Sequence, residues 1–137
     1  MPLSRAASLL SRWVPVVAYA ALISFLSGRS DLDIPKSISD KVAHAIEFGI
    51  FGALLWRAST GGLLARGTWA RGFAALALCA AYAGADEFHQ SFVPGRDASL
   101  WDGAADVGGA AAAIVLLWAA RALLSLWDDP RGMGAGR

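Results

Sequence analysis

The chain has 137 residues, 56% of them hydrophobic and 17% charged, with a formal net charge of +1 and a mean hydropathy of +0.48. That size suits a single domain, 1–137, and so much apolar surface under so few charges argues for lipid as part of the solvent rather than for an aqueous globule. There is no Lys/Arg cluster with interleaved aromatics, so nucleic acid is not an expected partner, and the single cysteine, Cys79, lies in an apolar run where it reads as a small buried hydrophobe.

Four apolar segments follow one another, each too long and too evenly apolar for a strand, and no sustained alternation suggests a transmembrane barrel. The first, Trp13 to Ser27, comes after Arg5 and Arg12. That order also fits a signal peptide, but no convincing small-x-small cleavage signal follows within Ser27-Gly28-Arg29-Ser30, and Ala18-Tyr19-Ala20, of suitable composition, lies inside the run, which favours a retained span. The second, Val42 to Trp56, is followed by the turn signal Gly61-Gly62, and the third runs from Trp69 to Ala85. Pro94-Gly95 marks another turn. Ser99-Leu100-Trp101-Asp102 then has capping-box spacing, with Asp in place of Glu or Gln, so the helix containing the fourth segment, Val107 to Ala120, is expected to begin near Ser99.

The uncharged stretches are short against the roughly 20 residues a span requires: 16 residues separate Arg12 from Arg29 and 14 separate Arg71 from Asp86. Snorkelling arginines and local thinning of the bilayer supply the missing length, and a buried or peripheral place for one segment stays open. Small residues recur every four positions at Ala45, Gly49 and Ala53 and again at Ala104, Gly108 and Ala112, which would let helix backbones approach closely, within the chain or between copies.

Charge and tryptophan give the segments a direction. In an up-and-down arrangement Arg5, Arg12, Arg57, Arg66, Arg71, Arg121, Arg131 and Arg137 share one side with Asp128 and Asp129. Arg29, Lys36, Lys41 and Arg96 share the other with nine carboxylates. Because basic residues are retained inside, this predicts an all-α integral membrane protein, a four-transmembrane-helix bundle with both termini cytoplasmic. Trp13, Trp56, Trp69, Trp118 and Trp127 would then mark the cytoplasmic interface, and Trp101 the outer one.

Both histidines and seven of the eleven acids lie in two stretches at the outer ends of these segments, Asp40 to Gly49 and Asp86 to Asp106. Lys41, His44 and Glu47 share a helix face by i, i+3 spacing, Asp86, His89 and Gln90 can converge, and Asp102 and Asp106 are one turn apart. Asp102 and Asp106, near a helix N-terminus, are easily tolerated as solvated acids. Asp86 and Glu87 approach a C-terminus, where the macrodipole opposes them, so they need a counter-charge, a ligand or water, with His89, Lys41 and Arg96 as candidate partners. Glu47 lies deepest in an apolar run and is the first functional suspect, able with His44 to accept a proton. Arg96 and Lys41 could hold a phosphate or carboxylate. A metal held by His44, Glu47, Asp86 and His89 is chemically admissible, but the spacing is generic, and no metal or cofactor is expected. Asp40 and Asp97 read as cap or loop residues, Ser91 and Ser99 as turn or cap residues rather than nucleophiles.

The ordered set DKVAHAIEFGIFGALL and GADEFHQSFVPGRDASLWDGAADVGG resembles the VanZ-like family, at Lys41, His44, Glu47, Asp86, Glu87, Gln90, Arg96, Asp102 and Gly108. The resemblance covers about residues 36–120; at Asp106, where many relatives carry asparagine, this chain adds a carboxylate. It implies a small bacterial integral membrane protein of the inner membrane, whose namesake is linked to resistance to the glycopeptide teicoplanin, without implying a reaction. Together these readings lead to an envelope-associated protein that binds or modifies a polar or anionic cell-wall or lipid-linked molecule. Glu47 and His44 would be the catalytic pair, and Lys41, Asp86, Glu87, Gln90, Arg96, Asp102 and Asp106 the ligand-binding set. Membrane lipids and a lipid-linked precursor or glycopeptide are the expected partners. The alternative is a noncatalytic assembly module whose polar residues form an interhelical lock; transport is a third reading.

Overall fold

The computed structural model describes residues 4–29, 39–96 and 98–127. Of the charges used above, Asp31, Asp33, Lys36, Asp97, Asp128, Asp129, Arg131 and Arg137 lie outside these residues, as does Ser30. The described chain is all helical: α1 (Arg5–Ser27), α2 (Asp40–Thr60), α3 (Trp69–Gln90) and α4 (Leu100–Trp127), of 23, 21, 22 and 28 residues. At 1.5 Å per residue even α2 is roughly 31 Å long, so each helix runs past its apolar segment into polar residues. By length and composition α1 and α4 can cross a membrane. In α2 and α3 the ionisable residues at the ends, among them Asp40, Lys41, Arg57, Asp86 and Glu87, dilute the apolar run.

Local signals fix the helix ends. Ser4, Ser39 and Thr68 accept N–H bonds from the third residue beyond, at Ala7, Val42 and Arg71, as N-caps do. α2 stops at Gly61, whose φ of 95° is the left-handed conformation that favours glycine.

α2 is the centre of the bundle, contacting all three other helices and packing most extensively on α4. That contact is backbone against backbone: a Cβ on Gly109 would lie 2.0 Å from the Ala45 carbonyl oxygen, and one on Gly52 would lie 3.0 Å from Ala110. The small stripe of α2 is therefore used at Ala45 and Gly49, with Gly52 in place of Ala53. On α4 the expected stripe is displaced. Ala104, Gly108 and Ala112 are exposed, and the close approach runs through Gly109, Ala110 and Ala113 instead.

A core of Phe48, Phe51, Leu55, Ile23, Cys79, Ala83 and Ile114 fills the rest, with Tyr82 and Phe51 rings 5.0 Å apart. Cys79 is fully buried, as the sequence suggests. Trp56 departs from the expected interfacial belt. It is 1% exposed, lies under the α2–α3 connection against Gly67, and donates its indole N–H to the Leu63 carbonyl at 3.0 Å. Trp13, Trp69, Trp101 and Trp127 are exposed, and Trp69 packs edge-on against Trp118 at 3.8 Å between centroids.

Candidate functional site

The ends Ser27 of α1, Asp40 of α2, Gln90 of α3 and Leu100 of α4 meet at one end of the bundle, because successive helices alternate in direction. All six acids among the described residues, Asp40, Glu47, Asp86, Glu87, Asp102 and Asp106, are gathered there. Arg5, Arg12, Arg57, Arg66, Arg71 and Arg121 lie toward the opposite end, where Arg57 reaches the Ser11 carbonyl of α1 at 3.3 Å.

The polar residues divide into three groups by the helix pair they join. Between α1 and α3, Asp86 is buried and accepts from the Ser27 hydroxyl at 2.5 Å and from Gln90 Nε2 at 2.8 Å. Its partners are thus a hydroxyl and an amide from within the chain, and none of the candidate cations His89, Lys41 and Arg96 is among these hydrogen-bond partners. Tyr82 supports the same seam, donating to the Ala20 carbonyl at 2.5 Å and meeting Ser24 Oγ at 2.7 Å. Ser24 and Ser27 share a face of α1 by i, i+3 spacing, the signal by which sequence reasoning could have found them.

Between α2 and α4, Lys41 is ion-paired with Asp102, and His44 Nδ1 lies 2.9 Å from Asp106 Oδ1. Asp106 is completely buried. It stands at the seventh position of α4, beyond the first turn where exposed amides favour a carboxylate, and Asp102, within that turn, is buried too, which corrects the expectation of two solvated acids at a helix start. Its second oxygen, Oδ2, is buried without a hydrogen-bond partner.

Between α3 and α4, the carboxylate of Glu87 accepts the Ser99 backbone N–H at 2.7 Å. Glu87 therefore does what the capping-box spacing assigned to Asp102, and it does so from a neighbouring helix. The same contact answers the unfavourable end of α3: Glu87 sits at the N-terminus of α4, where its charge is welcome. Its Oε1 is buried and, like Asp106 Oδ2, has no partner.

A cavity of about 390 Å³ opens among α1, α2 and the end of α3. It is lined by Tyr19, Leu26, Ile46 and Ile50 together with the polar Ser27, Asp40, His44, Glu47, Gln90 and Arg96. Arg96 is held in place by its Nε, which donates to the Arg29 carbonyl at 3.2 Å. Of the nine expected site residues, His44, Glu47, Gln90 and Arg96 come together here. Asp86 stands behind them through Ser27 and Gln90, while Lys41, Glu87, Asp102 and Asp106 belong to the helix seams outside the lining. His89 is exposed beside Gly28.

Among the described residues, the donor groups that converge are His44, Glu87 and Asp106, and Asp40, His44 and Asp102; within each trio one donor atom per residue lies within 4.8 Å of the others. This differs from the combination of His44, Glu47, Asp86 and His89.

No curated protein and no solved structure matches the chain. The VanZ/LLP1 family matches residues 3–123, taking in α1 as well as the polar cluster and most of α4, a longer stretch than the 36–120 region that carries the resemblance. On that coverage the chain belongs to the VanZ/LLP1 family.

Proposed function

We propose that the protein spans the bacterial inner membrane four times with both termini in the cytoplasm, and that its outward-facing acidic end binds the headgroup of an anionic, lipid-linked envelope molecule. The observation that carries this reading is the lining of the 390 Å³ cavity, which combines apolar Tyr19, Leu26, Ile46 and Ile50 with a single guanidinium, Arg96, and with the ionisable His44 and Glu47. Ile46 and Ile50, 57% and 46% exposed, form the rim, so an amphiphile could enter sideways with its chain against the rim and its head at Arg96. The guanidinium suits a phosphate or carboxylate, and Gln90 can donate to or accept from the same group. Glu47 and His44 would exchange a hydrogen bond or proton with the bound head. Family membership supports an envelope setting, and an effect on glycopeptide susceptibility would follow if the bound molecule is a cell-wall precursor.

The purified chain in nanodiscs, titrated with a short-chain polyprenyl phosphate, tests the reading. Arg96→Gln should lower affinity at least tenfold, and Glu47→Gln should abolish any conversion while leaving binding within a few-fold. Equal affinity in wild type and Arg96→Gln would overturn it. A second reading, a noncatalytic assembly module, is favoured by the seams Lys41–Asp102, His44–Asp106 and Ser27–Asp86, each of which joins two helices. It predicts that wild type neither binds nor converts such lipids.

A further inference from the structure

Behind the cavity wall, Glu87 of α3 and Asp106 of α4 approach His44 of α2 until one donor atom from each residue lies within 4.8 Å of the others. Each carboxylate commits one oxygen to a protein donor, Asp106 Oδ1 beside His44 Nδ1 at 2.9 Å and Glu87 Oε2 under the Ser99 N–H at 2.7 Å. The other two, Asp106 Oδ2 and Glu87 Oε1, are buried with no partner. Asp106 is 0% exposed, so its orphaned oxygen is shut off from bulk water. Two buried acceptors left without donors are costly, and a carboxylate adds charge to the cost. A cation held among the three residues would give these carboxylates the counter-charge they lack.

We propose that His44, Glu87 and Asp106 bind one divalent transition-metal ion, with Zn²⁺ as the best match. One imidazole nitrogen and two carboxylate oxygens are ligands of the type that Zn²⁺ accepts, and they bind Mn²⁺ more weakly. Three protein ligands leave a coordination position for a further group, the mark of a reactive rather than a purely structural centre. The Ser99 amide fixes Glu87 from outside the ligand set, as outer-shell partners of metal ligands do. His44 also lines the cavity, so ion and cavity share a wall. The other trio is the weaker site: Asp40 is exposed, and Asp102 is already paired with Lys41. The metal is measured without any lipid, so this inference does not depend on the headgroup reading; with the ion bound, His44 is a ligand and Glu47 is left as the group that exchanges a proton with the head.

The full chain in detergent micelles, stripped by a chelator, is titrated with Zn²⁺ against a chromogenic zinc indicator. One Zn²⁺ should bind per chain and raise the unfolding temperature. Glu87→Gln and Asp106→Asn should each weaken binding at least tenfold, while Asp40→Asn and His89→Ala bind as wild type does. Absence of one-to-one binding by the folded wild type, which requires no variant to fold, would overturn the proposal, as would unchanged affinity in both Glu87→Gln and Asp106→Asn. If the orphaned oxygens instead share a proton or a water, Asp106→Asn supplies an amide donor between them. That variant would then unfold at a higher temperature without zinc, and the wild type would show no zinc-dependent shift; this outcome also overturns the proposal. Arg96→Gln should keep wild-type zinc affinity, so that failure of the lipid reading and failure of the metal reading are told apart.

Discussion

Asp86 shows how a costly residue becomes tolerable. Two neutral donors, Ser27 from α1 and Gln90 one turn away, cover its two oxygens in a buried seam. Ser27→Ala would leave Asp86 Oδ1 uncovered, and hydrogen bonds to charged groups contribute about 1.5–3 kcal/mol. Thermal unfolding in detergent should show a loss of that order for Ser27→Ala, with most of it recovered in Ser27→Thr; a change within error for Ser27→Ala would remove the seam from the account. Lys41→Met is the mixed case: the Lys41 side chain is 53% exposed, but Asp102 is 11% exposed and would be left without its cation, so the variant should lose stability, and Lys41→Met with Asp102→Asn should recover most of that loss. The sequence made Asp86 and Glu87 suspicious through their position at a helix C-terminus, a sound electrostatic inference. It could not show that their partners would be a serine 59 residues earlier and an amide 12 residues later, because those contacts exist only once the helices are packed.

At the scale of the helix, the apolar runs located all four elements but stopped short of their ends. α4 is the clearest case, running from Leu100 to Trp127 where the apolar segment spans Val107 to Ala120. Charged residues extend the helices because Asp102 and Asp106 find partners on α2 instead of breaking α4. The packing stripe was ambiguous for a different reason. Ala104, Gly108, Ala112 and Ala105, Gly109, Ala113 are adjacent small-residue repeats of the same period, so spacing alone cannot say which one faces α2. The structure separates them sharply: a Cβ at Gly108 meets nothing within 4 Å, whereas one at Gly109 would run into the Ala45 backbone. Gly108→Ala should therefore leave stability unchanged or slightly raised by helix propensity. Gly109→Ala must push α2 and α4 apart and should cost at least the upper end of the roughly 1–3 kcal/mol typical of overpacking. Denaturant titration of the two variants checks this, and equal behaviour would mean that the helices do not approach at Gly109.

At the scale of the whole molecule, the bundle is polarised. Six of the nine described basic residues lie toward one end, which holds no described acid, while Arg29, Lys41 and Arg96 share the other with all six described carboxylates. Basic residues flanking membrane spans are retained on the cytoplasmic side, and acids weigh little in that choice, so the proposed orientation rests on the six arginines and not on the acidic cluster. Packing strengthens the inference, because alternating helix directions bring the arginines from three separate stretches, the start of α1, the α2–α3 connection and the later part of α4, toward the same end. In a Cys79→Ala background, Ser91→Cys at the acidic end and Leu64→Cys in the α2–α3 connection place single exposed thiols at opposite ends. In intact spheroplasts an impermeant maleimide should label Ser91→Cys at once and Leu64→Cys only after the membrane is opened. The reverse pattern would invert the protein and put the cavity in the cytoplasm, and labelling of both from outside would mean that α2 or α3 does not cross. Substituting Arg57, Arg66 and Arg71 together by Gln should weaken the sidedness and give a mixed labelling pattern, because the connection between α2 and α3 would lose its retention signal while the acidic end stays intact.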